Sequence, residues 1–192
     1  MPDDGIFDVK DAHKLDGPAR LKELRPWELL NELAGIAIGN TCVDFGSGTG
    51  TFTIPMAEMA GPEGAVFAVD NSLEMLAHIE AKNPPENLRL VHKNVTRTGL
   101  VAGSADVCLA AFILHEISPP EDFIREAVRL LKRGGRLIII EWAPGLEKPG
   151  PPAEVRISKE EITRLFTRNG LTLSSFTQWS RNYYVAVGKT AF

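Results

Sequence analysis

Apolar residues in this chain fall into short continuous runs separated by stripes of helical spacing. Cys42, Val43 and Phe45 open the series; further runs cover 65–69, 88–91 and 105–114, and Leu137 to Ile140 sits at the centre of a fifth, over 136–142. The run at 105–114, nearly all apolar, predicts a parallel strand covered on both faces, and the first run suits a covered strand. Between the runs the spacing predicts helices. One follows at 51–60. A second is capped by Ser72, faces the core with Leu73, Leu76, Ala77 and Ile79, and ends at Asn83-Pro84-Pro85. A third opens at Pro119 or Pro120 and runs to Lys132, with Phe123, Ile124, Ala127, Val128, Leu130 and Leu131 inward. A fourth starts from the capping box Ser158-Lys159-Glu160-Glu161 and stops before Gly170. Two last strands, 171–176 and 183–187, follow one another without a helix and so pair antiparallel. Five alternating β and α units and a closing hairpin predict one α/β domain over 1–192 with a seven-stranded, mostly parallel sheet and helices on both faces.

The flanks are less regular. Residues 1–17 are polar, with Phe7, Val9 and Leu15 as isolated apolar points, and are left open as a loose arm or a lid. Residues 18–36 read as one or two short helices with a Leu29, Leu30, Leu33 stripe, Pro26 at a helix start and Gly35 at a stop. Together, 1–36 form an N-terminal arm and helical cap. Residues 143–157 hold Pro144, Gly145, Pro149, Gly150, Pro151 and Pro152, which rule out regular structure. Loops of that length commonly carry function, and this one is a candidate substrate loop.

The richest local pattern is Thr41-Cys42-Val43-Asp44-Phe45-Gly46-Ser47-Gly48-Thr49-Gly50. A strand runs into glycines that permit a sharp turn and close approach of a ligand to backbone. Twenty residues on, the second strand ends at Asp70, placed to accept hydrogen bonds from a ribose diol. Strand, turn, helix, strand and acid make a nucleoside-binding βαβ unit. The spacing is G-x-G-x-G, and Thr51 stands where the dinucleotide fingerprint requires a glycine. Asp44 would repel a pyrophosphate and suits a ligand with a cationic amino group.

Val43 to Gly50, with Asp44 and Asp70 at these offsets, resembles motif I of the class I S-adenosylmethionine-dependent methyltransferases. Ala12-His13-Lys14-Leu15-Asp16, Leu114-His115-Glu116 and Gly150-Pro151-Pro152 before Arg156 extend the similarity to small prokaryotic methyltransferases of the quinone-biosynthesis-like, type 11 group. The resemblance implies a Rossmann-like methyltransferase fold, with S-adenosyl-L-methionine as cofactor and S-adenosyl-L-homocysteine as product. It implies that Asp44 and the backbone of Gly46, with Ser47, Gly48 and Gly50, hold the aminoacyl end. Asp70 takes the ribose, Asn71 and Ser72 shape that side, and Met75 packs near the adenine. Asn94 stands where the family often has an acid that meets the adenine amino group; its side-chain oxygen can still accept that bond, and a plain turn residue is the other reading. Val95 faces the ring edge and Ala111 lines the floor.

Methyl transfer from a sulfonium is an in-line displacement, catalysed mainly by alignment and exclusion of water. A base is needed only when the nucleophile arrives protonated. His115, just past the fourth strand, is the candidate catalytic base; the other reading is a pocket-shaping histidine partnered by Glu116. His13, Trp142, Arg156, Tyr183 and Tyr184 reach toward the pocket mouth or merely pack, and His78 and His92 read as solvated.

Composition trims the alternatives. The 192 residues carry a formal charge of −4, so no basic face suggests a nucleic-acid partner. Cys42 and Cys108 fall in core strands and form no metal or disulfide spacing; no metal site is expected. No apolar stretch reaches membrane-spanning length and no signal peptide is evident, which points to the cytoplasm. No Asn/Asp-Pro-Pro-Tyr follows the fourth strand, which argues against acceptors among DNA bases and glutamine. The expected partner is a small-molecule methyl acceptor, modified at carbon, oxygen or nitrogen; a homodimer is left open. The competing readings are a non-catalytic S-adenosylmethionine sensor or partner subunit, a nicotinamide oxidoreductase, and an RNA methylase.

Overall fold

The structure, a computed structural model, describes residues 9–145 and 150–191. The expectations placed on 1–8, including Phe7, and on Pro149 lie outside the described residues. Seven strands form one sheet: β1 Thr41–Phe45, β2 Ala65–Asp70, β3 Leu88–His92, β4 Ala105–Ala111, β5 Leu131–Trp142, β6 Leu171–Gln178 and β7 Tyr183–Thr190. Their order is β3-β2-β1-β4-β5-β7-β6. The first five are mutually parallel, and β7 inserts antiparallel between β5 and β6. This is the Rossmann-like α/β sheet with a C-terminal hairpin that the pattern predicts.

Three short N-terminal helices come first, α1 Ala12–Leu15, α2 Pro18–Leu24 and α3 Pro26–Leu29, the last continuing as a π turn over Leu30–Ala34. Gly35, with φ +59°, ends it. Then come α4 Thr53–Ala60, α5 Leu73–Glu80, α6 Pro120–Leu130 and α7 Lys159–Arg168. Ser72 and Ser158 cap α5 and α7 by accepting from the N–H groups of Met75 and Glu161.

The run Leu137 to Ile140 shows why strands covered on both faces lack alternation. Ile138 and Ile140 pack with Leu24, Leu29, Leu30 and Met56 on one face of the sheet. Leu137 and Ile139 pack with Phe123, Ile124, Ile162 and Phe166 on the other. Each such side chain contributes about 1.5–3 kcal/mol by leaving water.

Four details differ from expectation. β4 stops at Ala111, because Phe112 turns to φ +60° and residues 114–116 form a 3-10 turn. β5 starts earlier, at Leu131, by looping out residues 132–135: Ala105 pairs with Leu131 and Val107 with Arg136. β3 and β4 are joined by an irregular segment, so the β and α units do not alternate there. On α5 the inward residues are Met75, Leu76 and Ile79, while Leu73 is 63% exposed and Ala77 is exposed as well. The Ser72 N–H is drawn to Asp70 Oδ1, which sets where the helix leaves β2 and rotates Leu73 outward.

Candidate functional site

The glycine turn is stitched to the end of β2. The N–H groups of Gly46 and Ser47 both donate to the Val69 carbonyl, at 2.8 and 3.1 Å. Asp70 continues the seam: Oδ2 accepts from the Gly48 N–H and Oδ1 from the Ser72 N–H, each at 2.9 Å. One carboxylate therefore ties the turn to the start of α5. Gly46, Gly48 and Gly50 have φ of +64°, +52° and +87°, a region that side chains other than glycine enter only at a cost. A Cβ on Gly46 would lie 2.5 Å from Ile113 Cγ2, and one on Gly48 3.2 Å from Leu15 Cδ1. The turn is thus covered by a residue beyond β4 and by a residue of the arm.

Two polar groups under this turn stand out. Ser47 Oγ is buried without a hydrogen-bond partner among the described residues. Asp44 is buried and takes a short hydrogen bond from the Thr53 hydroxyl. Burial pushes its carboxyl up to about 7, the Thr53 bond opposes this, and the charge of Asp70 adds to it. Near neutrality Asp44 is poised between its two forms, and an adjacent cation would favour the carboxylate.

A second constellation lies at the ends of β4 and β5. His115 Nδ1 sits 3.0 and 2.9 Å from the two oxygens of Glu141. Glu141, only 1% exposed, also accepts from the N–H groups of Leu114, His115 and Trp142. Glu116 is a more distant neighbour, 3.8 Å from Nε2, so Glu141 replaces it as the principal partner of the ring. For the His115 pKa, burial pulls down, but the Glu141 hydrogen bond and charge, with Glu116, leave it above the usual histidine value. Beside this dyad, on the other face of the sheet, Phe112, Trp142 and Tyr183 pack edge to face or tilted, with centroids 5.0 to 5.5 Å apart. Arg156 Nη1 and Nε donate to the carbonyls of Ala143 and Pro151, and its guanidinium lies 5.7 Å from the Trp142 ring.

The arm reaches both regions. Asp16 Oδ1 accepts from the hydroxyls of Thr49 and Thr51, and Oδ2 pairs with Lys82 Nζ at 2.7 Å. Lys82 also donates to the Thr49 carbonyl.

A family model described as a methyltransferase domain matches residues 43–139, half of the chain, from within β1 into β5. The chain belongs to this methyltransferase-domain family. It is similar to a SAM dependent methyltransferase from Aquifex aeolicus, 27% identical with a TM-score of 0.89, covering 97% of this chain and 100% of that one. It is also similar to the ubiquinone/menaquinone biosynthesis C-methyltransferase UbiE of Ectopseudomonas mendocina, 32% identical over 130 residues, 66% of this chain and 49% of that protein. The chain spans about half the length of the curated relatives it matches. In fold alone it is like the 1,6-didemethyltoxoflavin-N1-methyltransferase of Burkholderia thailandensis, solved with bound 1,6-didemethyltoxoflavin and S-adenosylhomocysteine; that pair shows 19% identity, TM-score 0.74 and coverage of 96% and 85%.

Within the methyltransferase domain, the structure brings Asp44, Gly46, Ser47, Gly48, Gly50, Asp70 and Ser72 together around one turn. Met75 is buried at the start of α5, and Ala111 ends β4, half-buried. Asn71 is exposed, its carbonyl 3.0 Å from His92 Nε2. Asn94 is exposed and its Oδ1 accepts from both the N–H and the hydroxyl of Thr96; that oxygen is engaged in a local turn. Val95 is half-buried against the second core cluster. Tyr184 lies away from the mouth: it is fully buried, stacks on Phe176 and donates to the Ile157 carbonyl. His13 and His78 are exposed.

Sequence reasoning missed Glu141, Asp16, Phe112 and Arg20. A signal existed for Glu141, a lone acid closing the run Ile138-Ile139-Ile140. Asp16 closes the Ala12-His13-Lys14-Leu15-Asp16 stretch that carries part of the resemblance, but nothing in it points to Thr49, Thr51 or Lys82, and Arg20 carries no pattern of its own.

Proposed function

We propose that this chain is an S-adenosylmethionine-dependent methyltransferase that acts on a small organic molecule at carbon, oxygen or nitrogen. The observation that carries the reading is the seam in which the acid ending β2 holds the Gly48 N–H of a turn built from three left-handed glycines. The donor set suits the cofactor. Ser47 Oγ is an orphaned buried hydroxyl, Asp44 is a buried acid that a cationic amino group would ionise, and the glycines leave the backbone bare. Bound there, S-adenosylmethionine would supply an electrophilic methyl group on a sulfonium that departs as the neutral thioether S-adenosylhomocysteine. Asp44 and the Gly46–Gly50 backbone hold its aminoacyl end, Asp70 the ribose, and Asn71, Ser72, Met75, Val95 and Ala111 the remainder. Asn94 reaches the adenine by exchanging its Thr96 bonds.

His115 takes the proton of an acceptor that arrives protonated. Glu141 occupies Nδ1 and so leaves Nε2 as the basic nitrogen. Residues 1–36 act as arm and cap, and 143–157 as the substrate loop, in one domain over 1–192. The name of the curated relatives attaches C-methylation in ubiquinone and menaquinone biosynthesis to those proteins, which makes a hydroquinone a reasonable first acceptor to assay. No described helix is long and apolar enough to cross a membrane; we place the enzyme in the cytoplasm.

Calorimetric titration with S-adenosylmethionine and S-adenosylhomocysteine tests the reading, alongside Asp70→Ala. Both ligands should bind wild type and the variant should bind them about tenfold or more weakly. A folded wild type that binds neither would overturn the proposal. Transfer of labelled methyl to any small acceptor would exclude the non-catalytic sensor.

A further inference from the structure

Arg20, on α2, finds among the described residues a carbonyl and a ring but no counter-charge in contact. Its Nη1 donates to the Leu15 carbonyl at 2.6 Å, and its guanidinium lies 5.2 Å from the centroid of Phe112. The residue is half-buried. Among the described residues no carboxylate oxygen lies within 4.0 Å of it. Two acids are close in sequence and space, yet each is committed elsewhere. Asp16 holds Thr49, Thr51 and Lys82. Glu23 Oε1 accepts from Ser180 Oγ and Asn182 Nδ2, both at 2.8 Å. Partial burial of a cation is costly unless a counter-charge meets it. Desolvation accordingly draws the Arg20 pKa down, against the pull of Tyr183 and Asp16. Packing over Phe112 needs no charge, and the Leu15 carbonyl takes a bond from only one of the two terminal nitrogens of the fork.

The place matters as much as the charge. Phe112, Trp142 and Tyr183 sit at the ends of β4 and β5 and the start of β7, all on one edge of the sheet. This edge adjoins the glycine turn: Ile113 covers Gly46, and Leu15, whose carbonyl Arg20 holds, covers Gly48. Phe112 is a non-glycine residue at φ +60°, a strained geometry of the kind held at functional sites. Aromatic edges and faces favour a flat ring, and a guanidinium fork matches a carboxylate or phenolate oxygen.

Building on the methyl-transfer reading, we propose that Arg20 and the half-buried Phe112 and Trp142 rings, backed by the buried Tyr183, bind the methyl acceptor, and that the acceptor is a planar aromatic carrying an anionic oxygen. Arg20 is then a specificity-determining residue.

The test uses two probes of equal ring size, 2-naphthoate and the neutral 2-naphthalenemethanol. Each is titrated calorimetrically into the full chain, with and without saturating S-adenosylhomocysteine. The expected result is that naphthoate binds at least about tenfold more tightly, and that Arg20→Met reduces the ratio to within about twofold. Arg20→Gln, which keeps polar character and shape, should behave like Arg20→Met and serves if that variant does not fold. Equal affinity of the two probes, no binding of either at millimolar concentration, or a preference that survives both substitutions would overturn the proposal. The affinity for S-adenosylhomocysteine, measured separately in both variants, reads any loosening of Leu15 over Gly48, which affects both probes alike and so cancels from their ratio. Its absence in wild type would strike the methyl-transfer reading, while the probe ratio without cofactor would still decide the role of Arg20.

Discussion

The two halves of the sheet edge are built in opposite ways. Around β1 and β2 the site is made by backbone: three left-handed glycines, two N–H groups on Val69 and two on Asp70. Around β4, β5 and β7 it is made by side chains: the His115–Glu141 dyad, three aromatic rings and Arg20 above them. The first half comes from one stretch of sequence and is the part we assign to the cofactor. The second draws on the arm, two strand ends and the final hairpin, and touches the first where Ile113 and Leu15 cover Gly46 and Gly48. A constant reagent and a variable acceptor call for this division.

The contrast is broken most severely at Gly46. Gly46→Val combines a β-branched residue at φ +64° with a Cβ 2.5 Å from Ile113 Cγ2. The strain alone costs roughly 1–3 kcal/mol, and the Ile113 clash adds to it. S-adenosylhomocysteine binding should fall at least about 100-fold by calorimetry. Gly103→Ala is the control: at φ +62°, with nothing within 4 Å of the added carbon, it should cost only about 1 kcal/mol of stability and leave binding unchanged.

Asp70→Ala comes next. It frees the Gly48 and Ser72 N–H groups and removes the acid assigned to the ribose, so binding should weaken by about 1.5–3 kcal/mol. Asp70→Asn keeps one acceptor oxygen and should lose less. Equal losses would show that charge, not the seam, dominates this half.

Glu141→Gln sharpens the other half. A glutamine oxygen still accepts hydrogen bonds, but the charge that raises the His115 pKa is gone. The imidazole titration, read by NMR, should move to lower pH. Because the folded pKa of His115 lies above its ordinary 6.5, the stability drawn from this pairing is fully present below pH 6.5. It is lost as pH rises through the folded value. The stability gap between wild type and Glu141→Gln should therefore be widest in mild acid and narrow toward alkaline pH in denaturant titrations. S-adenosylhomocysteine affinity should barely move; a large change would mean that the two halves are coupled.

The smallest effect belongs to the arm. The Asp16–Lys82 pair is about one-third exposed on both sides, so its charge contributes no more than about 1 kcal/mol. Asp16→Asn retains the acceptor for Thr49 and Thr51. Its cost in thermal unfolding should fade in high salt.

Legibility followed the same division. Val43 to Gly50, Asp70 and the Ser72 cap lie within about thirty residues, and each carries a local geometric demand that its residue type reveals. Glu141 was legible only as a lone acid after three isoleucines, and the nearer Glu116 looked the better partner until β5 was set beside β4. Leu73 shows the limit of periodicity: its spacing suits the apolar face, but the Asp70–Ser72 bond turns that face away.

From the sequence alone follow the α/β order, the glycine turn and the acids at the ends of β1 and β2, because short-range sterics and hydrogen bonding set them. Strand order and register decided the rest. They put Glu141 beside His115, carried β7 between β5 and β6 so that Tyr183 meets Phe112, and left Arg20 over a ring 92 residues away without a carboxylate partner. Such contacts join distant segments whose individual residues carry no local signature, and only the packed sheet brings them within reach.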